Sequence, residues 1–158
     1  AGESVLEECK KITAEQGDLE IGKAVITNAG NLFAKKIIHT VGPDLRNESN
    51  DAEKKLKEAY ENSFKLAEEN GIKSIALPNI STGVYEFPKE KAAQIAIEAA
   101  KNHVAEKVEE ILFVCHEDEN FEIYQKLLDS SDQKINEQKR PILIKRAWLK
   151  IKSWFQKK

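Results

Sequence analysis

The sequence predicts an α/β domain in which a mostly parallel sheet is covered on both faces by helices. Two observations carry that expectation: amphipathic helical stretches alternate with short apolar runs from residue 3 to residue 128, and the connections are long enough for the crossovers that parallel strands need. No period of self-similarity points to a repeat architecture.

The elements follow in order. Val5, Leu6, Cys9 and Ile12 recur at three- and four-residue steps, which predicts an amphipathic helix over residues 3–14 that buries one side. Gly17 and Asp18 interrupt it, and the run Ala-Val-Ile-Thr at 24–27 has the β-branched character of a short strand, closed by a turn at 28–31. A second strand spans 36–41, with Ile37, Ile38 and Val41 as its apolar body and His39 inside it, until Gly42-Pro43 ends pairing. After a polar loop at 44–50, Asp51 is the candidate N-cap of a long helix reaching Asn70. Its inner stripe is Leu56, Ala59, Tyr60, Ser63, Phe64 and Ala67, and Gly71 is the expected terminating glycine. Residues 75–77 form a strand, and Pro88 opens an Ala-rich helix to about His103, with Ala92, Ala93, Ala96, Ile97 and Ala100 permitting close approach to a sheet. Residues 111–115 give another strand and 118–128 a helix, with Phe121, Tyr124, Leu127 and Leu128 facing in.

The rest of the chain has a different composition. Residues 129–140 are polar and are expected to be a linker. Residues 141–158 are expected to form a basic amphipathic helix: Ile144, Trp148, Ile151 and Phe155 share one stripe, and Lys145, Arg146, Lys150, Lys152, Lys157 and Lys158 supply charge. Such a tail can contact a membrane surface or an acidic protein partner, or pack onto its own domain.

A formal net charge of -2 gives no overall pull toward nucleic acid. Cys9 and Cys115 lie far apart without metal-ligand spacing, so neither a metal site nor a disulfide framework is expected, and a reducing, cytoplasmic compartment fits. No apolar run approaches the roughly 20 residues needed to span a bilayer. The chain starts without Met, so Ala1 is expected to lie within a longer gene product or to follow processing.

The chemistry is concentrated in residues 78–88, Pro-Asn-Ile-Ser-Thr-Gly-Val-Tyr-Glu-Phe-Pro. Ser81, Thr82 and Gly83 would present backbone N–H groups and hydroxyls at the carboxyl end of a strand, where the following helix adds its positive pole. That arrangement suits phosphate, although Ser-Thr-Gly is equally compatible with a plain turn. Neither the P-loop nor the dinucleotide glycine pattern is present.

Residues 22–32 (Gly-Lys-Ala-Val-Ile-Thr-Asn-Ala-Gly-Asn-Leu), 34–43 (Ala-Lys-Lys-Ile-Ile-His-Thr-Val-Gly-Pro) and 78–88 resemble three successive signatures of the macrodomain family. The resemblance extends from Ala1 to about Leu128 and implies a three-layer α/β/α fold, with a mixed, mostly parallel sheet, that binds ADP-ribose. Some family members hydrolyse ADP-ribose from proteins or deacetylate O-acetyl-ADP-ribose. Carried over, it places Ser81, Thr82, Gly83, Val84 and Tyr85 around the diphosphate and distal ribose, and His116 against the adenine. An imidazole stacks less extensively than the aromatic residue usual there, and His116 also reads as a solvent-facing strand end. No metal and no cofactor are expected. His39 falls in a scaffold motif and is expected to be structural, and His103 suits a helix C-terminus.

The family's first strand, its Asn-rich turn and its Gly-rich loop have no counterpart in these residues, so no catalytic residue is assigned. A segment carrying them is expected from a preceding or cleaved part of the polypeptide, or from another chain. Three functions therefore compete: an ADP-ribosyl hydrolase or deacetylase, an ADP-ribose reader without turnover, and a domain targeted through its basic tail.

Overall fold

The computed structural model describes residues 1–47, 50–103, 106–132 and 142–146, with backbone alone for 130–132 and 142–146. The order is α1 (Glu3–Gln16), β1 (Ala24–Asn28), β2 (Lys36–Thr40), α2 (Ala52–Glu69), β3 (Ser74–Leu77), α3 (Lys89–Asn102), β4 (Glu110–Cys115), α4 (Asp118–Asp132) and β5 (Ile142–Arg146). The elements expected between residues 3 and 128 are present, and the fold is α/β.

The strands divide into two sheets. β1 and β2 form an antiparallel pair, while β4 lies between β3 and β5 in a parallel sheet. Crossovers through α3 and α4 supply the reversal that parallel strands require. The core is where that sheet meets α2, α3 and α4: Leu56, Tyr60, Phe64, Ala92, Ala93, Ala96, Phe113 and Tyr124 are all fully buried there. Every residue of the expected α2 stripe is buried, and so is every alanine expected to allow close approach by α3. α3 packs against both α2 and α4.

Several expectations need correction. Residues 142–146 are a strand and not the start of a helix, because pairing alongside β4 satisfies the backbone of this Ile-Leu-Ile-Lys-Arg run in register, Ile111 opposite Ile142 through Cys115 opposite Arg146. The helix expected beyond them, residues 147–158, lies outside the described residues. α4 continues to Asp132, so the expected linker starts inside a helix; residues 133–141 also lie outside the described residues. β3 is covered on one face: Ile75 and Leu77 are buried, whereas the small Ser74 and Ala76 are exposed. α1 buries Val5, but Leu6 is 54% exposed. Asp51 occupies the N-cap position of α2 in a left-handed conformation (φ 58°) without a side-chain cap; its carbonyl accepts the Lys55 N–H instead.

The C-terminus of α2 follows its sequence signal closely. Gly71 has φ 63°, its N–H bonds the Glu68 carbonyl, and the Ile72 N–H bonds the Ala67 carbonyl, which is the Schellman pattern. This turn delivers the chain into β3, and so fixes where β3 ends and the 78–88 segment begins.

Candidate functional site

β3 and β4 run parallel, so their carboxyl ends open on one edge of the sheet, where an open α/β sheet binds ligands. Residues 81–85 follow β3 at that edge and His116 follows β4; Gly83, Val84, Tyr85 and His116 are exposed. Ser81 (φ 66°) and Glu86 (φ 56°) are left-handed at the two ends of the loop, a conformation that costs an L residue about 1–3 kcal/mol. Two backbone bonds hold the loop shut: the Glu86 N–H to the Gly83 carbonyl at 3.0 Å, and the Phe87 N–H to the Ser81 carbonyl at 3.0 Å. The N–H groups of Thr82, Gly83, Val84 and Tyr85 have no acceptor among the described residues. Consecutive unbonded amides in a loop that precedes a helix are the kind of backbone that can receive an anion.

The hydroxyls behave differently from the sequence expectation. Thr82 Oγ1 turns inward and donates to the Asn79 carbonyl at 2.8 Å. Ser81 Oγ is buried and has no hydrogen-bond partner among the described residues. It rests over Gly42, where an added Cβ would lie 2.2 Å from it. The groups of this loop left for a ligand are therefore backbone N–H groups and not these hydroxyls. The Gly42 contact also joins the end of β2 to the loop.

The second flank is the segment after β2. The Leu45 N–H donates to the Tyr85 carbonyl at 3.1 Å, and the Arg46 guanidinium lies 5.7 Å from the Tyr85 ring centroid. Asp44 holds Arg46 through two charge-assisted bonds, and the Arg46 guanidinium in turn draws the Asp44 carboxyl down to about 2. Arg46 was not legible as a site residue: its tie to Tyr85 depends on the β2 and β3 termini meeting.

Beneath the loop lies a buried polar frame. The Tyr60 hydroxyl donates to the Pro78 carbonyl at 3.1 Å and accepts the Ile80 N–H at 2.9 Å. Asn79 Nδ2 donates to the Lys89 carbonyl and to Asn120 Oδ1, while Asn79 Oδ1 accepts the Tyr124 hydroxyl. Burial pushes the Tyr60 and Tyr124 hydroxyls up, so both are neutral donors. Lys89 bonds Glu117 at 2.6 Å and Glu119 at 2.5 Å, and these ties raise the lysine and lower the Glu117 carboxyl.

His39 is engaged in scaffolding, as the sequence implies. Thr27 Oγ1 donates to the Asn28 carbonyl, so it accepts from His39 Nε2 at 2.8 Å, and the same nitrogen faces Cys9 Sγ at 3.8 Å. A ring nitrogen that carries its proton toward Thr27 is not a base for the thiol. A cavity of about 280 Å³ lies behind the loop between Leu45, Phe87 and the Glu53–Lys91 ion pair. Its lining places no row of donors toward phosphate, so the open carboxyl edge is the better candidate site. No helix among the described residues is long and apolar enough to cross a membrane.

A parallel sheet packed against helices, with a strand–loop–helix turn at its carboxyl edge, defines a domain of the α/β class. Comparison with known proteins gives the particular family: the Macro domain model matches residues 1–96, and this chain belongs to that family. An O-acetyl-ADP-ribose deacetylase of Escherichia fergusonii is 48% identical over 130 residues, covering 81% of this chain and 73% of the relative. Among solved structures, the Oceanobacillus iheyensis macrodomain with ADP has a TM-score of 0.79 at 30% identity, covering 85% of this chain and 73% of that one. A Trypanosoma brucei macrodomain in complex with ADP-ribose has a TM-score of 0.69 at 29% identity, covering 81% and 53% respectively.

Proposed function

We propose that this chain binds ADP-ribose or a related ADP-ribosyl metabolite, with the diphosphate on the amides of residues 82–85, the distal ribose beside Tyr85 and the adenine against His116. The observation that carries this reading is the row of four backbone N–H groups at 82–85, without acceptors among the described residues, in the loop that leads from β3 to α3. A diphosphate placed there is neutralised by dipoles already oriented, with no lysine required. The tie between Arg46 and Tyr85 adds an aromatic face of fixed orientation beside the sugar.

The chemistry this binding serves, on this proposal, is the family's deacetylase or ADP-ribosyl hydrolase type. In the deacetylase case water cleaves the ester of O-acetyl-ADP-ribose to give ADP-ribose and acetate. Its relatives' names support that choice. A reader module without turnover is the second reading, since the loop amides alone bind without performing chemistry. Calorimetry with ADP-ribose tests binding, and acetate release from O-acetyl-ADP-ribose separates enzyme from reader. Gly83→Glu is the informative variant. A Cβ there meets nothing within 4 Å, so the fold should tolerate it, while a carboxylate at the proposed diphosphate site should weaken binding by at least tenfold, about 1.4 kcal/mol. Equal affinity in both proteins would remove the loop from the site.

Free thiols at Cys9 and Cys115 support a reducing compartment such as the cytoplasm. The composition of residues 147–158 supports an accessory contact with an anionic surface. Unchanged liposome sedimentation after deleting those residues would dismiss it.

A further inference from the structure

We propose that Asn79 is a positioning residue that presets the diphosphate-binding loop, acting with Tyr60, Asn120 and Tyr124. The inference rests on the ADP-ribose reading and adds to it the device that holds the binding surface in shape before ligand arrives.

The geometry is specific to the base of the loop. Asn79 uses both amide hydrogens, to the Lys89 carbonyl at 3.1 Å and to Asn120 Oδ1 at 2.8 Å, and its own Oδ1 accepts the Tyr124 hydroxyl at 3.1 Å. Its backbone carbonyl takes the Thr82 hydroxyl at 2.8 Å. One side chain thereby ties the loop to the first residue of α3 and to two residues of α4. On either side of it, the Tyr60 hydroxyl clamps the Pro78 carbonyl and the Ile80 N–H from α2. Tyr60 and Tyr124 are fully buried and Asn120 nearly so, and Tyr124 stacks on Phe113 with ring centroids 4.7 Å apart.

A buried polar frame of this kind is a poor device for stability alone, since an apolar filling of the same shape serves as well. What a satisfied frame fixes is one geometry. Here every bond ends at residues 78–82, on the backbone or on Asn79 itself, and the amides of 82–85 that follow have no acceptor among the described residues. The left-handed Ser81 is thus flanked by residues the frame holds. Binding then requires little further ordering of the loop, which is how preorganisation raises affinity.

The test uses the full chain and two variants. Asn79→Ala removes three side-chain bonds; Tyr124→Phe removes one hydroxyl and keeps the stack on Phe113. Hydrogen exchange of the ligand-free proteins should show faster exchange at the hydrogen-bonded amides of Ile80, Glu86 and Phe87 in both, larger in Asn79→Ala, with the interior of α2 unchanged. ADP-ribose affinity, measured well below the unfolding midpoint, should fall about tenfold in Asn79→Ala and two- to threefold in Tyr124→Phe. Wild-type loop exchange and affinity in folded Asn79→Ala would overturn the proposal. If Asn79→Ala does not fold, the same result in Tyr124→Phe overturns it. Failure of the wild-type chain to bind ADP-ribose would remove the ligand reading, while the exchange data would still decide whether the frame sets the loop.

Discussion

The two sheets are held by different means. Around β3 and β4, the helices α2, α3 and α4 supply a continuous apolar core, with Leu56, Phe64, Ala96 and Phe113 fully buried. Around β1 and β2, Val5 and Thr27 are the buried side chains of the helix and strands. Polar ties do much of the joining there. Glu8 accepts from the backbone and side-chain amides of Asn28, Asn62 Nδ2 donates to the Gly22 carbonyl at 2.7 Å, and the Gly22 N–H bonds the Val41 carbonyl at 2.8 Å. The contrast shows which sheet carries the 78–88 loop. It emerges from the sheet with the apolar core and merely rests against the other.

Substitutions can break or sharpen this contrast. The largest effect is expected from Phe64→Ala, which empties a fully buried ring site stacked on His103 and should cost about 3–5 kcal/mol in chemical denaturation. Next is Gly42→Ala. Its Cβ would fall 2.2 Å from Ser81 Oγ and 2.5 Å from Ile80 Cγ2, so the loop must lift; about 1–3 kcal/mol of stability should be lost along with ADP-ribose affinity by calorimetry. Glu68→Gln should cost about 1 kcal/mol, because its carboxylate accepts the Lys107 and Val108 N–H groups and the His103 ring.

The Glu68 effect also has a pH signature. Burial pushes the Glu68 carboxyl up, yet the Val108 and Lys107 N–H groups and His103 outweigh it and leave it below its ordinary value. A carboxyl lowered in the folded state contributes stability above its unfolded value, and that stability is lost as pH falls through the folded one. Urea midpoints of the wild type should therefore fall in acid more steeply than those of Glu68→Gln. The smallest effect is expected at the other sheet: Leu6→Ala, at a half-exposed position on α1, should stay within about 0.5 kcal/mol. A large loss there would mean that the hairpin side has an apolar core of its own.

Much of this was legible locally. The 3.6-residue stripe of α2, the glycine after it and the strand, loop and helix order around residues 78–88 all depend on near neighbours in sequence. Their competing readings were few. The polar frame was not legible, because Tyr60, Asn79, Asn120 and Tyr124 come from four separate segments and each alone resembles an ordinary core or turn residue. Residues 142–146 failed for a related reason. A short apolar run bounded by charge suits helix or strand equally, and the choice falls to a neighbour, β4, distant in sequence. The direction of the Ser81 hydroxyl was not legible, because it goes with a left-handed backbone that residue type does not announce.

The seat of Ser81 on Gly42 has a thermodynamic consequence. Because β2 ends directly under the loop, a local opening of the hairpin removes part of the support of the binding surface, and any ligand that needs that surface must favour the closed hairpin by the same free energy. Linkage then requires amides in β1, such as Val25 and Thr27, to become more protected against exchange when the loop is occupied, although the ligand touches neither strand.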